Sequence, residues 1–237
     1  MGRSVNSKAV ANLPAFGESL RTEFVKRIKQ SHGSTHIRFN VKKVATEGNS
    51  AVLVPLLNIR SEPWVLFTQR SLSLTGHRGQ ICFPGGRLAA GETPQAAALR
   101  ESAEEIGLDS KNVEIWGHLR AMYTRNLVNI VTPVVGLLHD VNLNALTVQS
   151  EEVRSVFAVS VEELCSCHQY TRFRRPDGVG YILPVFDTRH FKMISSNDPP
   201  SSGYRIWGIT AGILHLLLLN LFPSAYVSNI KLIHPPA

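Results

Sequence analysis

Residues 86–108, GRLAAGETPQAAALRESAEEIGL, decide the fold of this chain. Within them Thr93 precedes Pro94, and Gly107 follows an alanine-rich run. Threonine is a good N-cap, proline suits the first helical position, and glycine is common just after a helix. The sequence therefore predicts a helix over residues 94–106, held between two glycine-bounded loops.

Three glutamates of this predicted helix share one face. Glu101, Glu104 and Glu105 are three and four positions apart, so their carboxylates project from one side about a turn apart. Crowded carboxylates repel each other unless a cation lies between them, and such oxygen ligands suit Mg²⁺ or Mn²⁺. A solvated acidic face, with Arg100 paired to Glu104, is the structural alternative.

The spacing continues outside the helix and favours a site over a solvated face. It runs Gly, five residues, Glu, seven residues, then Arg-Glu-Ser-Ala-Glu-Glu-Ile-Gly-Leu. This string resembles the signature of the Nudix hydrolases, G-x5-E-x7-R-E-U-x-E-E-x-G-U, in which U is bulky and aliphatic; Ser102 at the first U is the one departure. The resemblance implies an α/β fold, an α/β/α sandwich around a mixed β-sheet with a loop–helix–loop catalytic motif. It further implies divalent-cation ligands at the Gly86 carbonyl, Glu101, Glu104 and Glu105, catalytic roles for Glu101, Glu104, Glu105 and Arg100, and a motif held together by Arg100 and Glu92.

A second motif lies just upstream. Residues 66–71 read LFTQRS, and Gly79 and residues 83–86, FPGG, follow. The arrangement resembles the coenzyme A diphosphatase subgroup, L-L-T-x-R-[SA]-x3-R-x3-G-x3-F-P-G-G, with Phe67 for the second Leu and Thr75 for the second Arg. Thr75 cannot supply the phosphate-pairing charge of an arginine, for which His77 or Arg78 can compensate. The resemblance implies substrate contacts from Arg70, Ser71, His77, Arg78, Gly79 and Phe83.

Together the resemblances imply divalent-cation-dependent hydrolysis of the diphosphate linkage of coenzyme A or acyl-CoA. The products would be 3′,5′-ADP and 4′-phosphopantetheine or its acyl form, with Mg²⁺ or Mn²⁺ as cofactor. Alternatives are a Nudix pyrophosphatase acting on NADH or ADP-ribose, and a non-catalytic nucleotide- or RNA-binding protein, with which the basic first segment of the chain is consistent. We expect a small nucleotide as partner, without a stable nucleic acid partner. Glu151 and Glu152 are candidates for an additional metal ligand or a general base.

Length and composition predict one domain with appendages, because 237 residues, 43% of them hydrophobic, can bury one substantial core. We expect a basic extension over 1–47, either a targeting segment or a packed helix over about 14–30, a Nudix domain over 48–222 and a tail over 223–237. Apolar runs predict strands at 51–57, 64–70, 113–119, 130–138, 153–161 and 181–186. Residues 206–222 carry no formal charge but fall short of the roughly 20 that a bilayer requires, so they predict a buried helix and no membrane span.

The cysteine content indicates free thiols in a reducing compartment. An odd count of three does not build a disulfide framework. Cys165, Cys167 and His168 have no second ligand pair at a zinc-like spacing, so buried or loop thiols are expected there. Localisation stays open between mitochondrial, peroxisomal and cytoplasmic: the basic first segment suits mitochondria, whereas Pro-Pro-Ala at the end differs from the peroxisomal Ser-Lys-Leu signal.

Overall fold

A computed structural model of the chain describes residues 10, 13–33, 48–124, 129–174, 180–196, 201–228 and 230. Its helices are α1 (Glu18–Gly33), α2 (Pro94–Ile106), α3 (Val161–Ser166) and α4 (Gly208–Leu221). Its strands are β1 (Ser50–Ile59), β2 (Glu62–Arg70), β3 (Ile81–Cys82), β4 (Gly85–Arg87), β5 (Val113–His118), β6 (Met122–Tyr123), β7 (Ile130–Leu138), β8 (Val153–Ser160), β9 (His168–Arg174), β10 (Gly180–Thr188), β11 (Lys192–Ser196) and β12 (Tyr204–Ile206). Each strand expected from an apolar run is present within a few residues of its predicted ends.

The main sheet is mixed, as the resemblance implies. Its order is β11-β8-β2-β1-β7-β5, and β1 pairs with β7 in parallel while the other pairs are antiparallel. At one end β1 and β2 separate, and two short strands enter the gap: β3 pairs with β2 (Thr68 opposite Cys82), and β4 pairs with β1 (Ala51 opposite Gly86). We call this end, built from β3 and β4, the open end of the sheet.

Helices cover both faces of this sheet, which gives the expected α/β/α layering. On one face Ala97 and Ala98 of α2 pack with Leu53 and Leu66 of the sheet. The other face packs against α4, whose residues are apolar on nearly all sides and mostly buried. A helix that is apolar all round belongs inside a protein or a membrane. No helix in the described part of the chain has the length and hydropathy to cross a bilayer.

A second sheet of three antiparallel strands, in the order β12-β10-β9, lies outside the main one. Of these strands only β10 is predicted from the sequence. The run HQYTRFR of β9 is too polar to predict a strand from an apolar pattern, and β12 spans three residues.

Segments on both sides of residues 48–222 join the core. The side chain of Asn58 pairs with the backbone of Phe16, accepting from its N–H at 2.8 Å and donating to its carbonyl at 2.9 Å. Phe24 of α1 is fully buried, and beyond residue 222 Tyr226 is buried beside α4. Packing therefore continues beyond residues 48–222 on both sides. Helix α1 overlaps residues 14–30, for which the sequence allows either a packed helix or a targeting segment.

Candidate active site

Helix α2, which carries the three glutamates, has the caps that its sequence predicts. Thr93 Oγ1 accepts from the Ala96 N–H at 3.2 Å, and Gly107, at φ 66°, donates its N–H to the Ala103 carbonyl at 2.9 Å. Ser102 is buried, and its hydroxyl donates to the Ala98 carbonyl at 2.6 Å. A serine at the aliphatic position thus satisfies its hydroxyl within the helix, without an unpaired polar group in the core.

Arg100 is the centre of the hydrogen-bond network on this helix. Its Nε and Nη2 donate to the two carboxylate oxygens of Glu92 at 2.9 and 3.0 Å, and Nη2 also donates to the Arg87 carbonyl at 3.1 Å. Its Nη1 donates to Glu101 Oε1 at 2.9 Å and to Glu104 Oε2 at 3.0 Å. The guanidinium lowers the pKa of Glu92, and the Glu92 carboxylate raises the pKa of Arg100. One side chain therefore fixes the preceding loop, β4 and two glutamates of the helix face.

Glu105 is the buried member of the glutamate face. Its side chain lies beneath the Gly85–Gly86 turn, where Oε2 accepts from the Gly85 N–H at 3.2 Å. The residue is 3% exposed, and burial raises the pKa of its carboxyl to about 8, although Arg70 nearby opposes the rise. A carboxylate that is costly to ionise in the protein alone is one that a bound cation would stabilise.

The turn lies so close to β1 and the glutamates that a side chain at residue 85 would collide with the backbone of β1 and one at residue 86 with the end of the Glu101 side chain. A Cβ on Gly86 would lie 2.3 Å from Glu101 Cδ, and a Cβ on Gly85, whose φ is 151°, would lie 2.3 Å from the Ala51 carbonyl oxygen. The backbone of residues 85–86 is therefore pressed between β1 and the carboxylates.

The candidate donors on this face are of the type that a hard divalent cation binds. All are oxygens, from the carboxylates of Glu101, Glu104 and Glu105 and the carbonyl of Gly86. Arg100 engages Oε1 of Glu101 and Oε2 of Glu104, which leaves the second oxygen of each carboxylate able to accept. Among the described residues, no group of three or more His, Cys, Asp or Glu side chains is placed to hold a metal ion.

The structure brings only part of the predicted substrate set to this face. Arg70, at the end of β2, is close enough to act on the Glu105 pKa, and its buried Nε has no hydrogen-bond partner in the described part of the chain. His77 and Arg78 lie exposed in the loop over residues 71–80. His77 has a φ of 57°, and its Nδ1 lies 2.9 Å from Gln80 Oε1. Gly79, at φ 67°, donates its N–H to the Arg70 carbonyl at 3.1 Å and so closes the loop.

Ser71 and Phe83 are the buried members of the predicted substrate set. The Ser71 hydroxyl lies 2.8 Å from the Ser73 hydroxyl, and the Ser71 N–H donates to the Glu152 carbonyl at 2.8 Å. Phe83 is 2% exposed and stacks on Phe67 with ring centroids 5.0 Å apart. Both side chains are buried in this structure, where they contact the loop and the core beneath it. The substrate contacts that the resemblance implies for both residues stay a prediction.

Three contacts at this site escape sequence reasoning. The Gly85 N–H that binds Glu105 and the Arg87 carbonyl that binds Arg100 are backbone groups without a residue-type signal. Cys82 is the third: its Sγ lies 3.2 Å from Thr68 Oγ1, and burial raises its pKa to about 11. Only the position of Cys82 beside the FPGG motif could have drawn attention to it.

Glu151 and Glu152 form an exposed turn before β8. Their carbonyls, not their carboxylates, tie this turn to the substrate loop: Glu151 O accepts from Ser73 Oγ at 3.1 Å, and Glu152 O accepts from the Ser71 N–H. The Glu152 carboxylate also helps to raise the Glu105 pKa, so it lies near the site. A role as extra ligand or general base stays a prediction.

The cysteines near α3 lie apart from this site. Cys165 is buried and Cys167 partly buried, and burial raises the pKa of both thiols to about 12. His168 Nδ1 lies 2.7 Å from the Cys165 carbonyl oxygen. Cys165 and Cys167 are therefore free thiols in buried or partly buried positions, as the sequence predicts.

Comparison with known proteins identifies the family. The family model of the NUDIX domain matches residues 48–178. A Caenorhabditis elegans protein named Nudix hydrolase 3 is 39% identical over 214 residues, which are 89% of this chain and 88% of that protein. A Mus musculus protein named mitochondrial coenzyme A diphosphatase is 34% identical over 213 residues, 88% of this chain and 93% of that protein. A solved MutT/nudix family protein from Enterococcus faecalis is 13% identical with a TM-score of 0.45, covering 88% of this chain and 74% of its own.

The chain belongs to the Nudix family and is a Nudix hydrolase. Members of this family generally require divalent cations and act on small nucleotide derivatives.

Proposed function

We propose that this hydrolase cleaves the diphosphate linkage of coenzyme A or acyl-CoA in a divalent-cation-dependent reaction. The products are 3′,5′-ADP and 4′-phosphopantetheine or its acyl form. The observation that carries the proposal is the junction of the two motifs: the FPGG turn that ends the upstream motif donates the Gly85 N–H to Glu105 of the glutamate face at 3.2 Å. Similarity to a mouse mitochondrial coenzyme A diphosphatase over 88% of the chain supports it.

Glu101, Glu104, Glu105 and the Gly86 carbonyl would hold the cation. When bound, a divalent cation polarises phosphoryl oxygens and lowers the pKa of a coordinated water. Arg100 keeps Glu101 and Glu104 turned to the same side through its contacts with both carboxylates. The side chain of Glu104 is 58% exposed, so it is the carboxylate open to an entering water, and we assign proton acceptance to it or to Glu105.

Cations of the loop would bind the phosphates of the substrate. Arg70 lies beside Glu105, and its unpaired Nε is a donor without a partner in the described residues. An unpaired buried donor is costly, and a phosphate oxygen would satisfy it. Arg78 is exposed in the same loop and supplies a charge where Thr75 stands in place of an arginine.

The substrate test incubates the purified protein with CoA, acetyl-CoA, NADH or ADP-ribose in Mg²⁺, Mn²⁺ or EDTA, with products identified by mass spectrometry. The proposal requires metal-dependent release of 3′,5′-ADP from the CoA substrates. Cleavage of NADH or ADP-ribose alone supports the second candidate, a pyrophosphatase for other dinucleotides, which the loss of an arginine at Thr75 favours. Binding without turnover supports a non-catalytic nucleotide-binding protein.

A single substitution tests the glutamate face. Glu104→Gln keeps the shape and removes the charge, and loss of general acid–base or ligand chemistry commonly costs 10²- to 10⁴-fold in rate. We expect kcat for CoA to fall by at least about 100-fold. Because Glu104 is largely exposed, the melting temperature should change little. Glu162→Gln, an exposed glutamate on α3, is the matched control; full activity of Glu104→Gln refutes the assignment.

A further inference from the structure

Gln69, the residue before Arg70 in β2, fastens the loop over residues 71–80 through its side chain. Its Nε2 donates to the carbonyl of Gly79 at 3.2 Å, and its Oε1 accepts from the Ser155 hydroxyl at 3.2 Å. A carbonyl can only accept, so the amide nitrogen is the atom that faces Gly79, and the amide oxygen then faces the hydroxyl donor. Both ends of the Gln69 amide are therefore engaged in one consistent orientation.

The anchor of this amide belongs to the middle of the main sheet. Ser155 lies opposite Gln69 in the pairing of β2 with β8, and opposite Ser196 in the pairing of β8 with β11. Ser155 is 1% exposed, and the Gln69 oxygen is an acceptor for its buried hydroxyl. The Gln69 side chain therefore connects an inner strand of the sheet to the loop.

The carbonyl held in this way belongs to the turn that carries Arg78. The Gln80 N–H donates to the His77 carbonyl at 3.2 Å, which closes a four-residue turn. Gly79 is third in that turn with a φ of 67°, a conformation that glycine adopts without strain. Its N–H donates to the Arg70 carbonyl at 3.1 Å, so both backbone groups of Gly79 are hydrogen-bonded. The backbone of Arg78 thus lies between two residues that hydrogen bonds hold in place.

We infer that Gln69 is a positioning residue, which holds Arg78 in place for the phosphates of the substrate through the Gly79 carbonyl. Two consecutive residues of β2 then have different roles. Arg70 lies within electrostatic reach of Glu105, and Gln69 fixes the turn that carries Arg78. The inference rests on the proposed function for the role of Arg78, but its first test requires no turnover.

Limited trypsin digestion of the folded protein tests whether the amide holds the turn. Mass spectrometry gives the ratio of cleavage after Arg78 to cleavage after Arg60, an exposed residue between β1 and β2, so that local loosening is separated from global unfolding. Gln69→Met keeps the side-chain length and removes both hydrogen bonds, and we expect the ratio to rise about fivefold. Gln169→Met, the same exchange at an exposed position of β9, is the matched control and should keep the wild-type ratio. An unchanged ratio in Gln69→Met overturns the inference.

The second readout is KM for whichever of CoA, NADH and ADP-ribose the wild type cleaves, or the dissociation constant of CoA if it cleaves none. Gln69→Met should raise this constant about fivefold with little change in kcat, and Ser155→Ala should act in the same direction. In an Arg78→Ala background Gln69→Met should add nothing, because it acts through Arg78, whereas a merely structural residue would add its full effect. A raised proteolysis ratio with an unchanged constant, or full additivity with Arg78→Ala, overturns the positioning role.

The inference and the proposed function fail on different results. Cleavage of NADH or ADP-ribose alone, with a raised ratio and KM in Gln69→Met, sinks CoA as the substrate and keeps the role of Gln69. CoA cleavage with the wild-type ratio in Gln69→Met sinks the role of Gln69 and keeps the proposed function. A wild type that neither cleaves nor binds any of the three nucleotides overturns both.

Discussion

Replacing Glu105 by Gln should stabilise the metal-free protein at alkaline pH. Burial raises the pKa of Glu105 from its ordinary 4.5 to about 8. Below pH 4.5 the carboxyl is protonated in both the folded and the unfolded chain. Between pH 4.5 and about 8 the unfolded chain loses this proton and the folded chain retains it, so the free energy of unfolding falls as pH rises.

The size of the effect follows from the width of that window. Each pH unit within it lowers the free energy of unfolding by about 1.4 kcal/mol, which gives about 5 kcal/mol across the whole range. Gln at this position does not titrate, and its amide oxygen can still accept from the Gly85 N–H. The advantage of Glu105→Gln over the wild type should therefore be small at pH 5, grow through pH 7 and level off near pH 9.

Urea denaturation in EDTA at pH 5, 7 and 9 measures this difference, with Glu162→Gln as the control that should follow the wild type. Saturating Mg²⁺ should narrow the difference at pH 9, because a cation held by the ionised Glu105 carboxylate stabilises the wild type more than the variant. Binding at a hundred times the dissociation constant contributes about 2.7 kcal/mol. A stability difference between Glu105→Gln and the wild type that does not change with pH would refute the electrostatic reasoning.

Three further predictions concern packing and buried charge. Gly86→Ala should reduce kcat on the order of 100-fold, because the new Cβ would lie 2.3 Å from Glu101 Cδ, and Gly17→Ala, which has open space around it, should leave kcat unchanged. Burial lowers the pKa of His215 to about 4, so this group lowers the free energy of unfolding as pH falls from 6.5 towards 4, and His215→Gln, which lacks this contribution, should gain stability relative to the wild type over that range in urea denaturation. Phe24→Ala should cost about 3 to 5 kcal/mol in urea denaturation because the ring is fully buried; an unchanged midpoint would show that α1 is dispensable.

Local chemistry explains which elements the sequence predicts well. The bounds of α2 agree to the residue because Thr93, Pro94 and Gly107 determine both ends within the helix itself. Apolar strands such as β1 and β7 are equally clear, since each carries its own burial pattern. By contrast, β3, β4 and β12 span two or three residues each and form only because they pair with distant strands. A local stretch of sequence therefore cannot predict them.

The same distinction applies to the site. Spacing alone groups Glu101, Glu104 and Glu105, because a helix fixes their relation. It does not show that Glu105 is buried and Glu104 exposed, a difference that depends on how β4 crosses the helix. Nor does a resemblance reveal that Phe83 packs inward: a residue type can recur in a motif because it supports a loop as readily as because it binds a ligand.

The open end of the sheet explains why the two motifs share the FPGG turn. Within five residues the chain passes from Cys82, paired with the strand that carries Arg70, to Gly86, which lies against Glu101. The turn is fixed to β1 between these points, as the Pro84 carbonyl accepts from the Leu53 N–H at 2.8 Å. We therefore expect a displacement of this turn to move Arg70 and the glutamate face relative to each other. The position of Arg70 and the geometry of the glutamate face are thus linked through backbone contacts of this turn, and a side chain at residue 86 would meet the carboxyl end of Glu101.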